Sequence, residues 1–153
     1  MFTKLLDDKI LQNSFLTNET ARNNFLLQKI GIFIWRSKLQ RIPVCVELDK
    51  RGVDLDTILC PVFKTETETV EHALLLCSTA KDLWERVFKW WNVRSSQYSG
   101  LCDMFNGIIP GTNTNIRSKL WQAIEWVGGY MLWRNRNLKA FEKKELDRSD
   151  DIQ

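Results

Sequence analysis

Cys60, His72 and Cys77, three residues of metal-ligating type, lie within residues 60–77, in the stretch CPVFKTETETVEHALLLC. If they converge on one ion, the chain between them has to fold back on itself, and no long regular element can run through the stretch. Structural zinc takes four nitrogen or sulfur ligands in a closed tetrahedron, and each cysteine serves as a thiolate. Where a Cys-x-x-Cys pair would place its second thiol, the chain carries Phe63. Structural zinc contributes about 10–16 kcal/mol in small peptides, so losing one of four ligands should cost on the order of 3 kcal/mol, or about two decades of affinity. A water, Glu66, Glu68 or Cys45 could complete the shell. The competing reading makes His72 and the two thiols ordinary buried side chains, with Phe63 packed into the vacated space. The expectation of zinc is thus set against Phe63.

The rest of the chain has to supply the core. At 153 residues and 44% hydrophobic content it can bury one. A formal net charge of +3 is too small to announce a nucleic-acid binder by itself. No apolar stretch approaches the roughly 18 residues of a spanning helix, and the opening MFTKLLDDKILQNS lacks the apolar core of a secretory signal. An intracellular protein is expected, in either nucleus or cytoplasm. In such a compartment Cys45, Cys60, Cys77 and Cys102 are more suited to metal or burial than to disulfides.

Helical periods run almost throughout. Leu5, Leu6, Ile10 and Leu11 mark a short amphipathic segment. Phe25, Leu26, Ile30, Phe33, Ile34 and Leu39 keep a helical rhythm from Ala21 to Gln40, although IGIFIW is β-branched and aromatic enough to pass for a strand. Pro43 opens a short helix that Gly52 closes just after Lys50 and Arg51. STAKDLWERVFKWW places Leu83, Trp84, Val87, Phe88 and Trp91 on one face, with Ser78 or Thr79 as N-cap. Trp84 and Trp91 are therefore core residues, and the positions of Trp90 and Trp126 stay open. A short element surrounds Met104 and Phe105. The last helix is expected from about Asn115 to about Lys144, with Ile116, Leu120, Ile124, Val127, Met131 and Leu138 on its inward face. Gly128 and Gly129 in its middle cost roughly 1 kcal/mol each relative to Ala, which suggests a bend or close packing.

Taken in order, IFIWRSKLQRIPV, RGVDLDTILCPVF and ETVEHALLLCSTAKDLWERVFKWW resemble the reverse-transcriptase zinc-binding domain at the C-terminal end of plant LINE-type (non-LTR) retroelement polyproteins. The later LWRNRNLKAF is similar to the segment that follows it there. The matching positions are Trp35, Arg36, Pro43, Arg51, Gly52, Cys60, Pro61, Glu68, Thr69, His72, Cys77, Trp84, Trp90 and Trp91. Departures are Phe63 at the second thiol, Lys64 at the usual glycine after it, and Val44 and Cys45 in the turn that usually carries threonine and arginine. The resemblance implies Cys60, His72 and Cys77 as metal ligands. It implies no catalytic residue, and no paired-aspartate polymerase motif or nuclease carboxylate set can be placed here.

The expected fold is therefore mainly α: a small helical domain around a degenerate zinc-knuckle-like loop, with a long C-terminal helix. The expected divisions are 1–20 (short helix and linker), 21–94 (zinc-binding-like domain) and 95–153 (linker, long helix and charged tail). From Thr20 to Val46 the chain holds Arg22, Lys29, Arg36, Lys38 and Arg41 and not one acidic residue. Such a one-signed run could lie along phosphates, so Lys29, Arg36, Lys38 and Arg41 are the nucleic-acid candidates. A second basic patch, Arg134, Arg136, Lys139, Lys143 and Lys144, is diluted by Glu142 and Glu145. The leading expectation is a detached, non-enzymatic accessory module that binds RNA or single-stranded DNA without sequence preference, with neither membrane nor small-molecule substrate. The alternative is a helical relic or protein-interaction module without metal or nucleic acid.

Overall fold

A computed structural model describes residues 23, 25–94, 98–106 and 116–150, with side chains as far as 142. The expected segment around Leu5–Leu11, Arg22 and most of the turn before the last helix lie outside the described residues. The architecture is mainly helical: α1 (Gln28–Lys38), α2 (Cys45–Lys50), a π-helical turn (His72–Leu76), α3 (Ser78–Trp91), α4 (Leu101–Phe105) and the long α5 (Ile116–Asp150). Helix α5 packs against α1, α3, α4 and the π turn, so it is the spine on which the other elements are laid. Among the described residues no helix is long and apolar enough to cross a membrane.

IGIFIW is helical. Ile30, Phe33 and Ile34 point inward from α1, whereas Phe25 and Leu39 are exposed. The helix begins at Gln28 and not near Ala21, because Asn23 organises a turn ahead of it. Its Oδ1 accepts the Phe25 N–H (3.1 Å) and its Nδ2 donates to the Lys119 carbonyl (2.9 Å). Helix α2 ends as expected, with Gly52 in the left-handed region at φ 78°, where a Cβ would be strained. Helix α3 takes Cys77, not Ser78 or Thr79, as its N-cap residue. It buries Ala80, Trp84 and Phe88 and stops where Asn92 turns left-handed.

The face of α5 that turns inward differs from the one expected. Trp121, Glu125, Gly129 and Leu132 are buried, while Ile116, Leu120, Val127, Met131 and Leu138 are exposed. The two rows stand about 140° apart at about 100° per residue. Counting apolar residues picks the exposed row, because the buried one contains a carboxyl group and a glycine. The glycine pair is there for close approach. A Cβ on Gly129 would stand 2.6 Å from Phe105, and one on Gly128 would stand 2.8 Å from Trp84.

Three buried indoles meet the requirement that a buried N–H find an acceptor, whereas Trp91 Nε1 has no hydrogen-bond partner among the described residues. Trp84 Nε1 donates to the Leu74 carbonyl (2.8 Å), Trp126 Nε1 to the Phe105 carbonyl (2.9 Å) and Trp121 Nε1 to the Tyr98 hydroxyl (3.0 Å). Trp126 is thus core, Trp91 is half-buried and Trp90 is 73% exposed. Around the indoles, Ile34, Leu74, Met104 and Phe105 are fully buried, each contributing about 1.5–3 kcal/mol of transfer free energy.

Candidate metal centre

Cys60 is delivered by a narrow loop. Glu68 N–H donates to the Ile58 carbonyl (2.9 Å) and Cys60 N–H to the Glu66 carbonyl (2.8 Å), pairing the two arms antiparallel around Leu59 and Thr67. Between them the chain turns so that Lys64 N–H reaches the Cys60 carbonyl (2.8 Å). Lys64 sits at φ 54°, the left-handed conformation that a glycine would take freely. The knuckle turn is thus retained without its glycine. Burial pushes the Cys60 thiol above its ordinary value and the neighbouring Cys77 adds to the rise, while backbone hydrogen bonds from Phe63 and Val62 pull it down.

His72 and Cys77 are brought to one side by the π turn. Five residues apart on an α-helix they would diverge by about 140°. Here Cys77 N–H bonds to the His72 carbonyl at 2.8 Å, an i→i+5 bond that adds one residue to the turn. Thr69 supports the start of the turn, its hydroxyl accepting the His72 N–H (3.0 Å). Cys77 then caps α3 in extended conformation, with φ −58° and ψ 143°.

The three side chains converge. All are buried, and their ligand atoms lie within 4.8 Å of one another. The two sulfurs are 3.9 Å apart, against about 3.8 Å for two thiolates each about 2.3 Å from one tetrahedral ion. His72 Nδ1 lies 3.0 Å from a Glu66 carboxylate oxygen, whereas His72 Nε2 is buried with no hydrogen-bond partner among the described residues. A buried imidazole nitrogen without a partner is costly, and a metal ion is a partner that suits it. The donor set fits a metal, and the cluster could hold one.

The structure narrows the choice of fourth ligand. Glu68 is fully buried and committed elsewhere. It accepts the Cys45 N–H (2.9 Å) and pairs in two places with the Arg136 guanidinium, one contact being 2.6 Å from Nε. Burial alone would lower the Arg136 guanidinium, but the Glu68 carboxylate beside it raises it. Cys45 belongs to this pair too, with its sulfur 3.5 Å from Arg136 Nη2. Burial and Glu68 push its thiol up to about 11, so it stands as a neutral thiol outside the cluster. Glu66 serves the histidine. Phe63 is 46% exposed and does not fill the site. A cavity of about 10 Å³ bordered by Cys60, Cys77 and Asn135 lies beside the cluster, close to the smallest space that holds one water.

The nucleic-acid candidates are placed unevenly. Arg36 and Arg41 are exposed. Lys29 lies over the Tyr130 ring at 5.8 Å. Lys38 is half-buried, donates to Asn106 Oδ1 (2.8 Å) and has its ammonium pulled below the ordinary value by burial. In the second patch Arg136 is turned inward to Glu68. The pairings of Glu66 with His72 and of Glu68 with Arg136 carry no spacing signal. The five-residue step from His72 to Cys77 does not by itself signal a π turn.

No curated protein and no solved structure matches the chain. The family described as zinc-binding in reverse transcriptase matches residues 5–84, just over half of the chain and all three cluster residues. The chain belongs to that family of reverse-transcriptase zinc-binding domains.

Proposed function

We propose that the chain is a non-catalytic accessory module of a plant LINE-type retroelement reverse transcriptase. In this reading zinc on Cys60, His72 and Cys77 ties the 58–68 loop to the start of α3, and basic surface takes RNA or single-stranded DNA without sequence preference. The single observation that carries it is the buried, unpartnered His72 Nε2 in a cluster with two thiols. Zinc there is structural, cross-linking the loop to the start of α3. The wider resemblance, reaching Phe141, supports the retroelement origin, and a family match to a zinc-binding region supports a role outside catalysis.

The test is binding of a labelled single-stranded RNA by the zinc-loaded protein and by the protein after chelation, across a salt series. Affinity should fall with rising salt in proportion to the phosphates contacted, and chelation should weaken it. Absence of RNA binding at low salt contradicts the reading.

A second reading, a protein-interaction module, is favoured by one observation. Leu120, Val127, Met131 and Leu138 form an exposed apolar row along α5 of the kind that marks contact surfaces. Sedimentation of the purified chain, alone and with candidate partners, tests it.

A further inference from the structure

Trp90 is the most exposed large apolar side chain among the described residues. Trp90 is 73% exposed at the end of α3, and its ring centroid lies 5.5 Å from that of Trp91. Trp91 is anchored inward on Trp121 (5.5 Å), and the Arg117 guanidinium lies over its outer side at 5.8 Å. Trp90, Trp91 and Arg117 therefore form a continuous strip from α3 to the start of α5.

The charge around the strip is predominantly basic. Arg86, one turn before Trp90, is exposed, as are Lys89, Arg94, Arg117 and Lys119. Among the described residues none of these cations is in an ion pair. On α3, Glu85 stands about 140° round the helix from Trp90, while Asp82 lies one turn before Arg86 and Glu85 one turn before Lys89, so the cations with no acid within a turn of their own helix are Arg117 and Lys119 on α5. Helix α5 carries no acid in its first turn and none before Glu125. By contrast, the α1 run has Lys29 over Tyr130 and Lys38 bound to Asn106.

We propose that Trp90, flanked by Arg86, Arg94 and Arg117, is a stacking platform for single-stranded nucleic acid. A base stacks on the exposed indole while the arginines meet the adjoining phosphates, the combination by which single strands are held without sequence preference. The proposal rests on the nucleic-acid reading above and places the contact on α3 and α5 in preference to α1.

The experiment uses the full chain and a fluorescein-labelled twelve-nucleotide oligouridylate, with anisotropy read across a series of salt concentrations. Trp90→Ala should weaken binding at least fivefold, the loss of one stacked base, and leave the salt slope unchanged. Trp90→Phe should regain most of the affinity. The double variant Arg94→Gln, Arg117→Gln should lower the magnitude of the slope by about 1.4, or about 0.7 for each contact removed. If the parent binds and Trp90→Ala binds equally well, the platform is overturned while the nucleic-acid reading stands. If the parent does not bind at low salt, both fall. If Trp90→Ala instead turns a dimer into a monomer in sedimentation, the strip is an interface between copies and the proposal is overturned.

Discussion

The Glu66 carboxylate stands 3.0 Å from His72 Nδ1, so the nitrogen of His72 left free to bind a cation is Nε2, which is buried and without a partner. Carboxylates that hold a ligating histidine in this way fix its tautomer and raise its basicity, and losing one typically costs 10–100-fold in metal affinity.

Glu66→Ala should therefore weaken zinc binding by about 10- to 100-fold. Glu66→Gln, whose amide oxygen can still accept the Nδ1 proton, should lose much less. Glu66 is exposed, so thermal unfolding without metal should move little in either variant. Competition titration against a chromophoric chelator measures the first effect. Equal affinity in Glu66→Ala and the parent would remove Glu66 from the site.

Glu68 and Arg136, sixty-eight residues apart, tie the loop region to α5 through a fully buried carboxylate. Removing one partner leaves an uncompensated buried charge, which costs about 3–5 kcal/mol. Arg136→Met should lower stability by about that amount with or without zinc, as read by urea unfolding. A change below about 1 kcal/mol would show that the pair is solvated.

Gly129 should resist substitution even though alanine is the better helix former. The helix gains about 1 kcal/mol from Gly→Ala, but a Cβ here stands 2.6 Å from the Phe105 ring, and overpacking typically costs about 1–3 kcal/mol. Gly129→Ala should be destabilised, and Gly129→Ala combined with Phe105→Leu less so than the sum of the two. Circular-dichroism melts measure both. A higher melting temperature for Gly129→Ala alone would contradict the packing.

Much of this was legible in the sequence. The helical class, α2 with its glycine stop, α3 and its Trp84 face, and the long α5 all follow from local period and punctuation, which short-range sterics enforce. The inward face of α5 did not follow. Its inward row includes Glu125, Gly129 and, further along, the half-buried Arg136, and the last two are explained by a partner distant in sequence. Arg136 meets Glu68, Gly129 admits Phe105, and burial holds Glu125 protonated, its pKa pushed up to about 8. At the site, the ligand types were visible, but the π turn that aligns His72 with Cys77 and the Glu66 contact were not, because neither has a periodic signature.

Glu125 also sets a pH dependence. Burial is the largest cause of its raised pKa and Asp103 adds to it, while Tyr98, Trp121 and Lys38 oppose it. Neither carboxyl oxygen has a hydrogen-bond partner among the described residues. The folded chain therefore holds this proton to a higher pH than the unfolded chain does. Its contribution is fully present below the ordinary carboxylate range and is lost as pH rises towards about 8, at no more than about 1.4 kcal/mol per pH unit. Glu125→Gln should flatten that decline in melting temperature between pH 5 and pH 8, both values being rough bounds of the window. An identical decline in parent and variant would place the titration elsewhere.

Cobalt(II) titration of the reduced protein reads directly whether Cys60, His72 and Cys77 hold one metal ion. Saturation is expected at about one ion per chain, with the intense near-ultraviolet charge-transfer absorption of thiolate ligands and visible bands of a tetrahedral ion displaced by zinc. Cys60→Ser and His72→Ala should each abolish the saturable signal, Cys45→Ser should leave it intact, and Phe63→Cys should tighten binding by about two decades by supplying a fourth ligand. No thiolate–cobalt band in the parent, or a band that survives Cys60→Ser unchanged, would contradict this reading of the site.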